Sequence, residues 1–391
     1  MKPKSVKVVR VSTVAMSLDI LLKGQLKYLN HYFQVTAVSG EDKHLDSIRK
    51  REGVPTKSIN IKRHISIFHD LISLFKLYVY FKKHKPQIIH SITPKAGLLS
   101  MVAGYFAKVP IRIHSFTGLV FPTKSGWMQM LLIRMDRLLC ACATHVYPEG
   151  EGVKRDLMDY KITDKPLSVI HNGNINGIDL DFFNSKSLNN ELPSTRKELG
   201  LATDDFVFVF VGRLVGDKGI NELVAAFDKL LNIDTTKSIK LLLVGPYEDQ
   251  LAPLELKTLR AIQSNKNIIA TGYKDDVRPF LAVSNVFVFP SYREGFPNVV
   301  MQAGAMGLPS IVTDINGCNE IIHKGINGII IPVKDVKAIY QAMMTLISDK
   351  SYYNKLQNKS RQMIVNKYSQ LELWNAQLKE YNRLIELHIN A

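Results

Sequence analysis

Two cationic side chains stand five residues apart, directly behind an uninterrupted apolar run. Arg213 and Lys218 follow the run Phe206–Val211, and Gly212 separates that run from the first cation. Glycine permits a tight turn, and a helix that begins after such a turn offers backbone N–H groups and a favourable dipole to an anion. Two cations beside a helix start therefore suit a diphosphate. A strand-to-helix loop with solvated charges is the competing interpretation.

A carboxylate and an amide lie in a second segment of the same kind. The segment Pro290–Ala303 follows another apolar run and enters a helix, and Gly295 and Pro297 shape its turn. Glu294, at the turn, can accept hydrogen bonds from sugar hydroxyls, and Gln302, about one helical turn onward, can reach a ribose or fix the turn. The alternatives are helix-start electrostatics alone for Glu294 and an ordinary surface position for Gln302.

Both segments need parallel strands to position them, and apolar runs alternate with helical stretches along the whole chain. In the first half, strands are predicted at residues 6–14, 33–38, 87–90, 111–114, 144–147 and 167–171, with a helical stretch around residues 18–29. In the second half, strands are predicted at residues 206–211, 240–244, 268–271, 286–289, 310–313 and 328–331, with helices at 220–231 and 370–389. The alternation indicates an α/β protein with two Rossmann-like, doubly wound parallel sheets.

A chain of 391 residues is too long for one ordinary hydrophobic core and fits two domains. We predict an N-terminal domain over residues 1–185 and a C-terminal domain over residues 200–371. The Asn- and Ser-rich stretch Phe183–Leu199 connects them, and a terminal helix at about residues 372–391 returns to pack on the first domain. The apolar content of 46% excludes wholesale disorder.

The two chemistry-bearing segments, in this order and about 80 residues apart, resemble those of family 4 of the retaining glycosyltransferases. The spacing from Glu294 to Gln302 overlays the Glu-x7-Glu motif of that family. Further matches cover nearly the whole C-terminal domain: Leu243-Val244-Gly245, Thr271-Gly272-Tyr273, Gly307-Leu308-Pro309, Gly317-Cys318-Asn319-Glu320-Ile321-Ile322 and Gly325-Ile326-Asn327-Gly328. The resemblance implies the GT-B fold, in which two Rossmann-like domains face a cleft.

The resemblance also implies a role for each residue of these segments. Arg213 and Lys218, beside Gly212, would bind the donor diphosphate and stabilise the leaving group. Glu294 would hold the donor sugar, and Tyr273 would line the base pocket. The backbone that assists Glu294 would be that of Gly295, Phe296, Pro297 and Asn298. Gln302 would contact the ribose where the family usually has a glutamate, a departure that bears on nucleotide affinity more than on the reaction.

Two segments of the N-terminal half are similar to segments of bacterial polysaccharide and glycolipid transferases in this family. They are His90–Gly97 and Ile113–Gly118, and both follow predicted strands. His114 aligns with a position that faces the reacting sugar, and a buried structural histidine is the alternative. The stretch His171–Asp179 resembles the Asn-Gly-Val-Asp region of the family, although a plain Gly- and Asn-rich turn explains it almost as well.

The positive charge of the chain is concentrated in its first half. Residues 1–200 carry 30 Lys and Arg against 16 Asp and Glu, whereas residues 201–391 carry 21 against 19. Because the sequence shows no recognisable nucleic-acid-binding motif, we expect no nucleic-acid partner and favour an anionic membrane surface or a phosphorylated acceptor. Basic residues flank the apolar stretch Ile65–Phe81, and the apolar segment Trp127–Ile133 is a second candidate for lipid contact. Core-facing helices with solvated charges would produce the same pattern.

Two further features of the sequence bear on the cellular compartment of the protein. Residues 1–16 lack the apolar core and cleavage site of a signal peptide. The stretch His64–Phe81 is interrupted by His69, Asp70 and Lys76, whereas a membrane span needs about 20 nearly uninterrupted apolar residues. We therefore expect a cytoplasmic protein that lies peripherally on the inner face of the cytoplasmic membrane.

The three cysteines, Cys140, Cys142 and Cys318, are odd in number and lack metal-ligand spacing, which favours a reducing compartment. No cluster of His, Asp and Glu has convincing metal spacing, so we expect a metal-independent enzyme. We also expect no cofactor beyond the nucleotide sugar, which is a substrate.

These expectations combine into a retaining transferase of hexosyl or N-acetylhexosaminyl groups. Its donor would be a nucleotide diphosphate sugar, with uridine favoured by family habit, and its acceptor a lipid-linked saccharide or polysaccharide of the bacterial surface. Three alternatives remain: a GT-B sugar-nucleotide epimerase or hydrolase, a non-catalytic sugar-nucleotide-binding protein, and a nicotinamide-dependent dehydrogenase. The dehydrogenase is disfavoured because neither half shows Gly-x-Gly-x-x-Gly after its first strand.

Overall fold

The computed structural model describes residues 6–64, 66–232, 238–248 and 252–389. The chain divides into two compact units, the first formed by Met1–Gly177 with Gln370–Ala391 and the second by Ile178–Ser369. Each unit contains a six-stranded parallel sheet formed by described residues. Predictions for residues 1–5, Ile65 and 390–391 lie outside the described residues.

The strands are short, and most of their residues are apolar. They are β1 (Lys7–Val11), β2 (Gln34–Ser39), β3 (Thr56–Ser58), β4 (Ile88–Ser91), β5 (Ile111–Phe116), β6 (His145–Pro148), β7 (Phe206–Val211), β8 (Ile239–Val244), β9 (Ile268–Ala270), β10 (Val286–Phe289), β11 (Ser310–Thr313) and β12 (Gly328–Ile331).

Helices connect the strands and cover the sheets. They are α1 (Ala15–Leu21), α2 (Gln25–Asn30), α3 (Lys43–Glu52), α4 (Ile67–His84), α5 (Pro94–Phe106), α6 (Gly126–Cys142), α7 (Glu151–Asp159), α8 (Leu192–Glu198), α9 (Ile220–Leu231), α10 (Leu256–Ser264), α11 (Arg278–Ala282), α12 (Asn298–Ala305), α13 (Cys318–Ile321), α14 (Val336–Ser348), α15 (Lys350–Lys367) and α16 (Gln370–His388). Short 3-10 helices occupy Phe121–Thr123, Ser185–Leu188 and Gly216–Lys218.

The two sheets have the same topology. The first has the order β3-β2-β1-β4-β5-β6, and the second has the order β12-β11-β10-β7-β8-β9, which is the same order when the strands of each unit are numbered from one. Because β1 and β7 pair on both sides, they are buried centrally, and every residue of β7 is buried. In sheets of this order, ligands bind where the strand order reverses, between β1 and β4 or between β7 and β10.

The terminal helix α16 belongs to the first unit. The hydroxyl of Tyr381 lies 2.6 Å from Nδ1 of His90 and accepts a hydrogen bond from Arg10 at 3.2 Å. Nearer the start of α16, Trp374 donates its indole N–H to the side chain of Asn176 at 2.8 Å. All of these polar groups except the Trp374 ring are buried, so their hydrogen bonds fix the helix against β1 and β4.

Several predicted elements differ from the observed ones. The strand predicted at residues 167–171 is wrong: these residues, all described, form no strand, because His171 has a φ of 55° and Gly173 closes a turn by donating to the carbonyl of Ile170. The helical stretch predicted at residues 18–29 divides at Gly24, whose φ is 83°. The predicted connection 183–199 contains α8, and β3 was missed because Thr-Lys-Ser shows no apolar alternation.

The boundary between the units also differs from the predicted one. Residues 178–185, assigned to the first domain by sequence, belong to the second unit. The reason is local bonding: Ile178 donates its N–H to the carbonyl of Tyr368, and Arg361 donates to the carbonyls of Leu180 and Phe183.

Candidate functional site

The carboxyl ends of β7 and β10 lie side by side in the second sheet. The loop after β7 carries Lys218, and the loop after β10 carries Glu294. The two loops are joined by a hydrogen bond of 3.0 Å from the N–H of Tyr292 to the carbonyl of Asp217. Two segments about 80 residues apart in sequence therefore form one site.

An ion pair between Lys218 and Glu294 lies at the centre of this site. Ser291 donates its hydroxyl to Oε1 of Glu294 at 2.8 Å, and the ring of Phe289 lies 5.6 Å from the Lys218 ammonium. The side chains of the pair are only 18% and 17% exposed. Because their solvation is restricted, the charges attract each other more strongly than a surface pair does.

Glycine allows the backbones around the pair to approach closely. Gly219 has a φ of 73°, and a Cβ atom there would lie 2.1 Å from the carbonyl oxygen of Pro290. On the other side, a Cβ atom at Gly245 would lie 1.8 Å from the carbonyl oxygen of Gly212. A larger residue at Gly219 would separate the loops that carry Lys218 and Glu294, and one at Gly245 would separate the loop after β8 from the loop after β7.

Two of the predicted nucleotide-binding residues lie further along the same sheet edge. Arg213 does not join the central pair but forms an ion pair with Glu248, and its side chain is 45% exposed. Tyr273 follows β9, two strands away from β7, and is 66% exposed. A ligand that contacts Lys218 and Tyr273 together must extend along the edge of the sheet.

The predicted sugar-binding turn is well anchored. Phe296 and Pro297 are buried, and the ring of Phe296 packs 5.6 Å from that of Tyr368. A Cβ atom at Gly317 would lie 2.5 Å from the carbonyl oxygen of Gly295. The turn ends where α12 begins at Asn298, and Gln302 lies half-buried one helical turn later.

Some residues of the site were not assigned a role from sequence. Ser291 lies in the segment Pro290–Ala303, and its position two residues after β10 was the available signal. Thr313 closes β11, the strand next to β10, and donates its hydroxyl to the carbonyl of Ser291. Cys318 is buried; this burial, followed by the nearby charge of Glu294, raises the pKa of its thiol well above the ordinary value.

His114 lies in the interior of the first unit, on β5. Its Nδ1 is 2.8 Å from the Ser91 hydroxyl, and its ring packs edge-on against Phe116 at 4.6 Å. Burial lowers the pKa of His114 to about 3, so the ring is neutral at physiological pH. The structure does not bring His114 together with the Lys218 pair within one unit.

Among the described residues, no group of three or more His, Cys, Asp and Glu side chains is arranged to hold a metal ion. No described helix combines the length and apolar character that crossing a membrane requires.

Comparison with known proteins decides the family. Residues 205–349 match the group 1 glycosyl transferases, and residues 22–181 match glycosyltransferase family 4. Over 385 residues the chain is 33% identical to the capsular polysaccharide biosynthesis glycosyltransferase CapM of Staphylococcus aureus, and the match covers 98% of each protein. The chain belongs to glycosyltransferase family 4.

Two other proteins illustrate what this family 4 glycosyltransferase is similar to. It is 28% identical over 346 residues to the UDP-Gal:alpha-D-GlcNAc-diphosphoundecaprenol alpha-1,3-galactosyltransferase of Escherichia coli, covering 87% of this chain and 86% of the relative. The crystal structure of HepE from Anabaena in complex with UDP and glucose superposes with a TM-score of 0.82 at 16% identity, covering 97% of this chain and 100% of HepE. The predicted family and the GT-B fold, with two Rossmann-like domains, are confirmed.

Proposed function

We propose that this glycosyltransferase moves a hexosyl or N-acetylhexosaminyl group from a UDP-sugar to a lipid-linked or polysaccharide acceptor in surface polysaccharide synthesis. Transfer retains the anomeric configuration and needs neither a metal ion nor a cofactor. The observation that carries the proposal is the Lys218–Glu294 pair, which is fixed between the adjacent ends of β7 and β10. A cation and a carboxylate side by side match a sugar that is linked to a diphosphate.

The choice of donor rests on relatives and on the shape of the site. The name of the Escherichia coli relative specifies UDP-Gal, and HepE was crystallised with UDP and glucose. Along the sheet edge of this chain, Tyr273 is exposed to contact a base, and Gln302 offers an amide to the ribose. A nucleotide that extends along this edge would contact Tyr273 with its base, Gln302 with its ribose and Lys218 with its diphosphate.

In the proposed reaction, the bond between the anomeric carbon and the phosphate oxygen breaks while the bond to the acceptor oxygen forms on the same face. The acceptor proton passes to the departing phosphate oxygen, so UDP is released. Lys218 stabilises the charge that develops on the diphosphate, and Arg213 adds a second cation once it releases Glu248. Glu294, freed from Lys218, accepts hydrogen bonds from the donor sugar, next to the backbone of the Gly295–Asn298 turn.

His114 contributes differently, because burial keeps its ring neutral. In this proposal it gives a hydrogen bond to the reacting sugar and neither adds nor removes a proton.

The acceptor and the location are inferred from the same sources. The Escherichia coli relative acts, by its name, on a saccharide linked to diphosphoundecaprenol, and CapM serves capsular polysaccharide synthesis. A lipid-linked acceptor requires the enzyme to work at a membrane, and the basic first half of the chain fits an anionic surface. We place the enzyme in the cytoplasm, peripherally on the inner face of the cytoplasmic membrane.

The test is release of nucleoside diphosphate from a panel of UDP- and GDP-sugars, with and without a lipid-linked saccharide extract and with and without EDTA. We expect release from one UDP-sugar that rises with the extract and persists in EDTA, and a product whose anomeric proton coupling in NMR matches that of the donor. Lys218→Ala should lower the rate by roughly 100-fold or more, because the diphosphate loses its fixed cation. Lys257→Ala is the matched control, since Lys257 pairs with Glu255 at 2.8 Å on the surface of the same unit.

Each other outcome contradicts part of the proposal. Release that ignores the extract would indicate a hydrolase, and a changed sugar on the nucleotide would indicate an epimerase. Tight nucleotide binding without release in any condition would favour the non-catalytic protein, for which the uncharged Gln302 is the one supporting observation. Full activity of Lys218→Ala would remove the ion pair from the mechanism.

A further inference from the structure

Helix α4 exposes large apolar side chains where a globular protein normally places polar ones. Its inner stripe, Ser73, Leu77 and Phe81, is buried against the first unit. Its outer stripe is between 41% and 76% exposed and consists of Ile67, Phe68, Leu71, Ile72, Phe75 and Val79. A row of six exposed, large apolar side chains on one helix marks an interaction surface.

Helix α6 carries a second stripe of the same kind. Its exposed apolar residues are Trp127, Met130, Leu131 and Leu138, at helical spacing. Both α4 and α6 pack against α5, which lies between them. The ten exposed side chains of α4 and α6 therefore belong to one side of the first unit, and together they are called the docking face here.

The docking face reaches the edge of the sheet where ligands bind. Helices α4, α5 and α6 each connect one parallel strand to the next, so each begins at the carboxyl edge of the first sheet. The most exposed apolar residues, Ile67, Phe68 and Trp127, stand in the first turns of α4 and α6. They lie at the edge where an acceptor would bind.

Positive charge surrounds the docking face. Its exposed cations are Lys62, Arg63, Lys76, Lys82, Lys83, Lys124 and Arg134. Helices α4 and α6 are fully described and contain two acids: Asp70 is paired with Lys95 at 2.7 Å, and Asp136 is half-buried. The surface is thus apolar at its centre, cationic around it and poor in exposed carboxylates.

The cations around the docking face distinguish between two partners that could cover it, a second copy of the chain and a bilayer. A second copy of the chain would place the same cations against each other in a symmetric contact, which is unfavourable. A bilayer with anionic headgroups accepts both the apolar side chains and the surrounding cations. We propose that the docking face inserts into an anionic phospholipid leaflet and holds the carboxyl edge of the first sheet at the membrane surface. This inference rests on the proposed function in one respect: a lipid-linked acceptor is the reason for the enzyme to hold this edge at a membrane.

The test is flotation of the full chain with vesicles of phosphatidylcholine alone or mixed with phosphatidylglycerol. We expect binding to the mixed vesicles. The triple variant Phe68→Ser, Leu71→Ser and Phe75→Ser should lower the partition coefficient by roughly 100-fold or more, because three side chains no longer enter the acyl region. The matched control replaces three residues of comparable exposure elsewhere, Leu256→Ser, Leu371→Ser and Leu387→Ser, and should bind like the wild type.

A charge-reversal variant tests electrostatic attraction to the lipid headgroups separately from insertion of the apolar side chains. Lys76→Glu, Lys82→Glu and Lys83→Glu should remove the preference for phosphatidylglycerol. The proposal is overturned if the wild type does not bind mixed vesicles, or if the apolar triple variant binds as well as the control. It is also overturned if sedimentation shows a wild-type dimer that the triple variant dissociates, because a second copy would then cover the face.

Calorimetric titration with UDP on the same samples keeps the two proposals apart. A triple variant that retains UDP affinity but loses vesicle binding supports the docking face, whatever acceptor the enzyme uses. A wild-type protein that binds vesicles but not UDP contradicts the proposed function and leaves the docking face supported.

Discussion

The equivalent strands and following loops of the two units differ in whether their polar side chains are exposed or buried. In the second unit, the loops after β7 and β10 hold the charged and partly exposed pair of Lys218 and Glu294. In the first unit, β1 and β4 carry Arg10 and His90, which are fully buried, and Tyr381 of α16 bonds to both. The same topology thus positions a partly exposed ion pair in one unit and a buried polar network in the other.

The two units also differ in their charge. The second unit is nearly neutral by sequence, and we propose that it acts through a few fixed charges; the first has a large excess of cations, and we propose that it acts through its outer surface. If this comparison is correct, substitutions at the second site should change rate, and substitutions in the buried network should change stability.

The largest effect is expected from Glu294→Ala. The substitution removes the carboxylate that pairs with Lys218 and that, in the proposed reaction, binds the donor sugar, so kcat should fall roughly 100- to 1000-fold. The free energy of unfolding should change by only about 1 kcal/mol, because the pair is not fully buried. Steady-state kinetics and urea denaturation measure the two quantities.

A double variant tests whether Lys218 and Glu294 have separate roles. Lys218→Ala combined with Glu294→Ala should be clearly slower than either single variant, since in the proposed reaction Lys218 contacts the diphosphate and Glu294 contacts the sugar. A double variant no slower than either single variant would show that the two side chains act only as a pair, which would contradict their separate roles.

The parts that sequence predicted share a physical signature. Strands such as β7 and β10 are continuous apolar runs followed by glycine or proline, and the site loops follow them, so the sheet and the positions of the loops that carry Lys218 and Glu294 were predictable. The ion pair between these two residues was not predicted. That Arg213 would pair with Glu248 was not predictable, because it depends on contacts between loops that no local pattern specifies.

Other features were hidden for related reasons. The sequence of α4 reads as an amphipathic helix, but periodicity does not say which stripe faces the core, and the more apolar stripe proved to be exposed. Likewise, the sequence does not distinguish a buried histidine from an exposed one after an apolar run. The burial of His114 is therefore known only from the structure.

The next effect in size is expected from Gly219→Ala. The new Cβ atom would meet the Pro290 carbonyl at 2.1 Å while φ is 73°, so we expect a loss of about 3 kcal/mol of stability. The loops that carry Lys218 and Glu294 would also move apart, so kcat should fall as well. Thermal unfolding and UDP release measure both.

Gly53→Ala is the matched control in the first unit. Gly53 has a similar φ of 64°, but a Cβ atom there would contact nothing within 4 Å. This variant should lose only about 1 kcal/mol, the cost of the backbone conformation, and should keep its activity. Equal losses in the two variants would mean that the close approach at Gly219 contributes nothing.

The smallest effect concerns pH and the first unit. Burial lowers the pKa of His114 to about 3, below its unfolded value near 6.5, so the unfolded chain binds a proton more readily. The stabilising contribution of the neutral ring is therefore complete above pH 6.5 and is lost progressively as the pH falls from 6.5 toward 3. Between pH 7.5 and pH 5, His114→Asn should reduce the fall in unfolding free energy by about 2 kcal/mol.

His90→Asn provides the comparison that tests whether His114 also touches the sugar. Burial, followed by the charge of Arg10, lowers the pKa of His90 well below its ordinary value, and both its ring nitrogens are bonded, to Tyr381 and Ser115. Both variants should therefore flatten the pH dependence of stability, measured by urea denaturation at each pH. At pH 7.5, kcat should fall in His114→Asn and stay near the wild-type value in His90→Asn. Equal kcat values in the two variants would leave His114 as a buried structural histidine and confine the chemistry to the second unit.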